Sequence, residues 1–224
     1  MILTLRKIFI VAVMCGAVCV HNALFALDPS KKVTQYGLDI WDEARGLSAF
    51  AIHAITQTRD GYIWLGTDIG LIRFDGVEFT VFNPETVPLM PDNSIMSLSE
   101  DSEGNLWFAM LRGGLGKYHQ GIFSFYSKEN CLPSNEVAEV FVDSKNTLWV
   151  GFMHAGIGRW ENGKVNLILP DEIPHLNNVR TIFEDSKHTI WFGTGNFKFL
   201  NSDNVIAKIP QTTIGYEYPS INFS

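Results

Sequence analysis

Four tryptophans recur in this chain at nearly constant intervals, at positions 64, 107, 149 and 191, which are 43, 42 and 42 residues apart. Each one follows an isoleucine or a leucine and precedes a glycine or an alanine by two positions. A period of this length is typical of propeller blades or solenoid repeats, in which one supersecondary unit is stacked on the next. The period therefore restricts the chain to an array of about four similar units.

Each unit contains the pattern of four short β-strands, as the third unit illustrates. Alternating apolar residues over Val137–Val142 predict a half-buried strand, and the polar turn at Ser144–Asn146 leads to the strand with Trp149. A third strand over Gly156–Trp160 follows, and the turn Asn162–Gly163 then opens a fourth strand. The sequence therefore predicts an all-β fold, a β-propeller of four-stranded antiparallel blades with about four blades present.

The first unit resembles a known repeat. Its segments Asp60–Thr67 and Gly70–Gly76 are similar to the two-component regulator propeller repeat of periplasmic sensor regions in bacterial hybrid histidine kinases and some diguanylate cyclases. The resemblance covers roughly residues 33–208. It weakens along the chain, where Ala109 replaces a glycine and Gly195–Phe199 lacks the Gly-Leu step. The resemblance implies a non-catalytic, ligand-sensing module of a two-component or diguanylate cyclase signalling protein.

The chain divides into four predicted regions: a signal peptide over residues 1–26, a lead-in with a closing strand over 27–50, the blades over 51–208, and a final stretch over 209–224. The first region has a basic start and a short apolar core, as secretory signals do, although an uncleaved anchor helix is the alternative. The signal predicts export to the periplasm.

The last stretch, residues 209–224, resembles the start of a further blade or a truncated tail. We therefore expect an incomplete ring and an N-terminal fragment of a larger sensor, attached to a membrane only through a missing C-terminal segment. A strand over residues 33–41 is expected to complete the last blade. An incomplete ring has open edges, through which we expect the chain to self-associate.

Charge and cysteine content exclude several classes of function. Removal of Arg6 and Lys7 with the signal changes the formal net charge from -7 to -9, so binding to nucleic acid or to an anionic bilayer is not expected. Cys131 is the one cysteine after residue 26, which excludes an intrachain disulfide in the processed chain.

The sequence contains no recognisable catalytic or metal-binding motif, and no cofactor is predicted. The six histidines include no pair at zinc-helix spacing, and no nucleophile elbow, phosphate loop or dinucleotide fingerprint occurs. Asp101, Asp143 and Asp185 each precede a tryptophan by six residues, and we interpret them as turn-forming residues because separate blades keep them apart. The tryptophans are interpreted as blade core. The alternative function is a propeller enzyme, a lyase or lactonase acting on a small cyclic substrate.

Ligand binding is predicted on one side of the array, where second-to-third-strand connections and inter-blade connections lie together. A small molecule or an oligosaccharide is the expected ligand, although these segments are equally consistent with ordinary variable turns. Arg112 and His154 are the strongest candidates, because a cationic pair is suited to an acidic sugar or a carboxylate. The full set of candidate ligand-binding residues is Asp68, Arg112, Asn135, His154, Asn178 and Asn196.

Overall fold

The computed structural model describes residues 39–49, 51–168, 178–194, 199–200 and 206–207. In this part of the chain the regular elements are a 3-10 helix, Glu43–Arg45, and sixteen β-strands. The strands are β1 (Ile52–Gln57), β2 (Ile63–Thr67), β3 (Leu71–Phe74), β4 (Phe79–Phe82), β5 (Ile95–Glu100), β6 (Leu106–Met110), β7 (Gly114–His119), β8 (Ile122–Tyr126), β9 (Val137–Val142), β10 (Leu148–Phe152), β11 (Ile157–Glu161), β12 (Lys164–Ile168), β13 (Val179–Glu184), β14 (Ile190–Thr194), β15 (Phe199–Leu200) and β16 (Ile206–Ala207).

The strands form four antiparallel sheets of four strands each, and every sheet uses four strands that are consecutive in the chain. We call these sheets blades 1 to 4 in chain order. The predicted all-β propeller fold is confirmed. Each of the four tryptophans lies on the second strand of its blade, and its cross-strand partners on the first strand are Thr56, Ser99, Phe141 and Phe183.

The blades pack through a repeated interface. The sheet face that carries the tryptophan, here called the tryptophan face, packs against the opposite face of the next blade. Between blades 1 and 2, Trp64 and Leu71 pack with Leu106 and Phe108. Equivalent clusters join blade 2 to blade 3 and blade 3 to blade 4. The first strands β1, β5, β9 and β13 contact one another in this order.

Residues with positive φ form the turns at the positions that the sequence indicates. In the hairpins between first and second strands, Gly61, Gly104, Asn146 and His188 have φ angles of 93°, 78°, 64° and 62°. Glycine and asparagine adopt this conformation most readily. Because the four positions are equivalent, the hairpins share one geometry despite their different sequences.

Several sequence predictions fall outside the described residues. These are the signal peptide over residues 1–26, the stretch over 209–224 and most of the closing strand over 33–41. Residues 39–41 of that strand are described, and none of them is in a strand. Trp41 instead packs with its ring centroid 4.7 Å from that of Phe74 and 5.5 Å from that of Phe79. Within the described ranges, no helix has the length and apolar content needed to cross a membrane.

Candidate ligand-binding face

The second-to-third-strand connections lie against the inter-blade connections, and we call this side of the array the connection face. Within blade 2, the amide of Leu111 donates to the carbonyl of Ser94 at 3.0 Å. Between blades 2 and 3, the amide of Gly114 donates to the carbonyl of Asn135 at 2.9 Å. These backbone hydrogen bonds hold segments from neighbouring blades in one continuous surface.

Arg112 is exposed on the connection face, and its loop is fixed by an aspartate. The amide of Arg112 donates to Asp92 Oδ2 at 2.8 Å, and the amide of Ser94 donates to Asp92 Oδ1 at 3.1 Å. Asp92 therefore connects the Arg112 turn to the segment that leads into β5. This arrangement presents the guanidinium to solvent from a defined backbone position.

His154 lies on the equivalent turn of blade 3, where an acidic side chain accompanies it. Its Nε2 atom is 3.6 Å from Glu136 Oε2, and the two side chains are 70% and 45% exposed. The amide of the preceding residue, Met153, donates to the carbonyl of Glu136 at 3.0 Å. The structure thus gives Arg112 and His154 different acidic neighbours, and no contact in the described residues joins the two.

The other predicted residues have mostly structural contacts. Asp68 Oδ1 accepts from the amide of Ala51 at 3.1 Å, and Asn135 Oδ1 accepts from the amide of Lys128 at 2.6 Å. Asn178 has a φ of 64°, and its amide donates to the carbonyl of Met153 at 2.6 Å. Asn196 lies outside the described residues. Asp68 and Asn135 therefore hold backbone in place with the oxygens that a ligand would otherwise use.

Each repeated aspartate has two roles in its blade. Asp101 Oδ1 accepts from the amide of Asn105 at 2.9 Å, which closes the hairpin, and Asp101 Oδ2 accepts from Trp107 Nε1 at 2.8 Å. Burial raises the pKa of the Asp101 carboxyl, but hydrogen bonds from Asn105 and Trp107 outweigh it, so the pKa lies below its ordinary value. The turn-forming role was predicted, and the bond to the indole was missed, although the constant six-residue spacing is its signal.

Basic residues of the third strands also contact the tryptophan rings. Arg73 lies 5.9 Å from the ring centroid of Trp64, and Lys117 lies 5.5 Å from that of Trp107. Such contacts are cation–π interactions, and each pair is directly opposite in the sheet. These residues of the repeated motif therefore make contacts within their own blades.

The side of the array opposite to the connection face carries the hairpins, and we call it the hairpin face. A cleft of about 330 Å³ lies there between blades 1 and 2, beside Arg59 and His119. The guanidinium of Arg59 donates to the carbonyls of Asp101 and Ser102, each at 2.8 Å. These donors are therefore engaged by the next blade, and sequence reasoning did not find this contact.

Backbone amides on the hairpin face form a series of bonds from one blade to the next. The amide of Ser102 donates to Asn146 Oδ1 at 2.6 Å, and that of Ser144 donates to Glu184 Oε2 at 2.7 Å. The amide of Arg59 contacts Glu100 Oε1 at 3.2 Å in the same way. We call these contacts the inter-blade staples, and they join residues 40 to 44 positions apart.

Glu139 is a titratable residue on a first strand that sequence reasoning missed. It pairs with Gly151, and the equivalent positions in the other blades hold Ala54, Ser97 and Thr181. Burial raises the pKa of Glu139 to about 7, and a hydrogen bond with Ser97 opposes this shift. A search for repeated acids cannot find a residue that occurs in one blade only. Among the described residues, no group of three or more histidine, cysteine or acidic side chains is placed to hold a metal ion.

The fold and its repeated contacts define a β-propeller whose tryptophans are anchored to their own hairpins. Three segments of the chain, residues 48–68, 89–112 and 175–196, match the family model described as Two component regulator propeller. The resemblance seen in the sequence is thereby confirmed for these segments. No curated protein matches the chain.

Solved structures that are similar to this chain include extracellular domains of signalling proteins and a lyase. The extracellular domain of a hybrid two component system from B. thetaiotaomicron is 23% identical with a TM-score of 0.67, over 77% of this chain and 26% of that chain. The extracellular domain of a one component system from the same organism is 21% identical with a TM-score of 0.61, over 75% and 25%. Virginiamycin B lyase from Staphylococcus aureus is 19% identical with a TM-score of 0.53, over 68% and 53%.

These identities establish the fold alone. The chain spans about a quarter of the length of the two extracellular domains that it matches.

Proposed function

We propose that this chain is a ligand-sensing propeller module of a bacterial signalling protein, located in the periplasm and without catalytic activity of its own. The main support for this proposal is that the repeated residues and the connections of each blade make different kinds of contact. The repeated residues are engaged in hairpins and interfaces, whereas the connection face varies in chemistry from blade to blade. A rigid scaffold that presents variable loops is the usual arrangement for recognition.

The similarity to extracellular domains of two component and one component systems supports this assignment. Arg112 and His154 give the connection face two exposed basic groups, which are suited to a carboxylate or an acidic sugar. Glu136 lies beside His154 and adds a carboxylate to this surface. Because a carboxylate accepts hydrogen bonds from hydroxyl groups, the surface favours a ligand that also carries hydroxyl groups. An acidic oligosaccharide satisfies both requirements.

The test uses the full-length signalling protein that contains this propeller, with oligosaccharides of uronic acids as probes. The double variant Arg112→Ala, His154→Ala should lose the response of the output domain to the acidic probe. Neutral oligosaccharides of equal length serve as the matched probe and should give no response in either protein. An unchanged response of the double variant would remove both residues from the site.

A second double variant tests whether the response is lost because ligand recognition is lost or because the net charge of the protein has changed. Lys145 and Lys187 are exposed residues of the hairpin face, on the opposite side of the array. The variant Lys145→Ala, Lys187→Ala should keep the response. If both double variants lose the response to the acidic probe equally, the response depends on the overall charge of the protein and not on the connection face.

The lyase fold of one structural neighbour supports a second candidate, a propeller enzyme acting on a small cyclic substrate. This candidate predicts that the purified chain opens lactones or cyclic depsipeptides, and that a chelator abolishes the activity if a metal ion is required. Release of ring-opened product above the uncatalysed rate would replace the sensor assignment with an enzymatic one.

A further inference from the structure

The hairpin between β1 and β2 departs from the repeat at Arg59. Blades 2 to 4 have a serine five residues before the tryptophan, as Ser144 illustrates, and blade 1 has Arg59 at this position. The amide of Arg59 still makes the inter-blade staple to Glu100, as the amide of Ser144 does to Glu184. The staple therefore needs only the backbone of Arg59, and its guanidinium is an addition to the repeat.

The guanidinium of Arg59 lies beside the carboxylate of Glu100. Arg59 Nε is 3.8 Å from Glu100 Oε2, which is close enough for charge attraction but too far for a hydrogen bond. The Glu100 side chain is 13% exposed, and within the described residues the hydrogen bonds to its two oxygens come from one donor, the amide of Arg59. A carboxylate can accept about four hydrogen bonds, and a largely buried one is ordinarily well supplied with donors. Glu100 can therefore bind a further donor.

Arg59 also has donors that the fold does not use. Its guanidinium donates to the carbonyls of Asp101 and Ser102, which leaves three of the five N–H groups of a guanidinium. The side chain is 60% exposed. In the next interface, the equivalents of Arg59 and Glu100 are Ser102 and Val142. The charged pair is therefore not required for two blades to pack.

Two clefts of the hairpin face adjoin at Arg59 and Glu100. The cleft of about 330 Å³ extends outward to His119, the last residue of the third strand β7. A second cleft, of about 410 Å³, extends inward to Glu184, the last residue of the first strand β13. Arg59, Glu100 and Ser102 line both clefts. The two clefts therefore form one groove, here called the hairpin groove, with the charged pair at its middle.

The hairpin groove carries more acidic than basic side chains. Asp60 and Glu103 are exposed in the outer cleft, and Glu184 lines the inner one. Since Arg59 and Glu100 balance each other, the remaining carboxylates favour a ligand with a net positive charge. A guanidinium and a carboxylate side by side are also complementary to the carboxylate and the ammonium group of an amino acid.

We propose that the hairpin groove binds a basic amino acid, whose α-carboxylate accepts from Arg59 and whose α-ammonium group donates to Glu100. The side-chain cation of the ligand then faces Asp60 and Glu103 in the outer cleft. The volume of each cleft lies in the range of small-molecule sites. This site is on the side opposite to the connection face and does not depend on the proposed acidic ligand.

The proposal is tested by isothermal titration calorimetry of the purified chain, with L-lysine as the probe. L-Lysine should bind with one-to-one stoichiometry. The diamine 1,5-diaminopentane, which is lysine without its carboxylate, should bind roughly tenfold more weakly or worse, because it cannot use Arg59. L-Norleucine, which lacks the side-chain amine, should be weakened to a similar extent. Absence of saturable L-lysine binding at millimolar concentrations would overturn the proposal.

Two neutral variants identify which end of the ligand each charge binds. Arg59→Gln should weaken L-lysine by roughly tenfold or more and should not weaken 1,5-diaminopentane, which has no carboxylate. Glu100→Gln keeps an oxygen for the amide of Arg59 and should weaken both ligands. Unchanged affinity of both variants for L-lysine would contradict the assignment.

Matched controls remove one charge at exposed positions outside the groove. Lys164→Gln, on the outer strand β12, is the control for Arg59→Gln, and Glu85→Gln is the control for Glu100→Gln. Both controls should bind L-lysine as the unmodified chain does. If Glu85→Gln weakens binding as much as Glu100→Gln, the overall charge attracts the ligand and the proposal is wrong. Thermal unfolding verifies that each variant is folded, and Arg59→Gln decides alone if Glu100→Gln is not, because its staple uses the backbone amide.

Discussion

Trp107 Nε1 donates a hydrogen bond of 2.8 Å to Asp101 Oδ2, six residues earlier in the chain. The same bond joins Trp149 to Asp143 at 2.9 Å and Trp191 to Asp185 at 2.8 Å. In blade 1 the hydroxyl of Thr58 replaces the carboxylate and accepts from Trp64 at 3.0 Å. A buried indole nitrogen requires an acceptor, so the spacing from aspartate to tryptophan follows from hydrogen bonding.

Replacement of Asp101 by alanine should lower the free energy of unfolding by about 2 kcal/mol, because a buried indole donor and the hairpin amides lose their acceptor. Urea denaturation of the chain measures the change. In a double-mutant cycle with Trp107→Phe, which removes the donor, the loss caused by Asp101→Ala should be smaller. Equal losses in both backgrounds would show that the aspartate acts through the hairpin alone.

Alanine substitutions at two glycines with similar φ angles distinguish the cost of a steric clash from the cost of backbone strain. Gly114 has a φ of 82°, and a Cβ atom there would collide with the carbonyl oxygen of Tyr126. Gly121 has a φ of 88°, with nothing within 4 Å of such an atom. Gly121→Ala should cost about 1–2 kcal/mol from strain alone, and Gly114→Ala should cost clearly more. Thermal unfolding that ranks the variants in the reverse order would contradict this explanation.

Asn146 combines a positive φ with an inter-blade staple, and two substitutions distinguish these properties. Asn146→Gly keeps the backbone conformation and loses the acceptor for Ser102, which should cost about 1 kcal/mol. Asn146→Ala also loses the favourable conformation, so its stability should fall by roughly 1 kcal/mol more. Urea denaturation of both variants measures the difference. If alanine and glycine are equally destabilising, the strain at this position is negligible.

The strands and hairpins were predictable from the sequence, because residues close together in the chain determine them. The tryptophan period and turn pairs such as Asn162–Gly163 specify strands and hairpins within about ten residues of each other. The inter-blade staples were not predictable, since Arg59 and Glu100 are 41 positions apart and nothing in either segment indicates the partner.

The ligand-binding residues could also be predicted only in part from the sequence. Asp68 and Asn135 have the chemistry of ligand-binding residues, but their oxygens accept backbone amides of Ala51 and Lys128. A sequence indicates which polar groups a loop contains, and not which of them the backbone already engages. Arg112 remains a prediction of ligand binding because its side chain is exposed.

Glu139 should make the stability of the chain depend on pH. Its pKa is about 7 in the folded chain, against an ordinary value of 4.5, so the folded state binds more protons between these two values. Stability should therefore fall as the pH rises from about 4.5 to 7, by at most about 3 kcal/mol, because the carboxylate is poorly solvated in the fold.

The substitution Glu139→Gln replaces the carboxyl by a neutral group of similar size and should remove this dependence. The variant is expected to be more stable than the unmodified chain above pH 7, and the difference should vanish near pH 4.5. Urea denaturation across this range measures both curves, and Glu85→Gln, at an exposed position, is the matched control. Glu85→Gln should follow the unmodified chain at every pH. Parallel curves for Glu139→Gln and the unmodified chain would show that burial of Glu139 does not control its protonation.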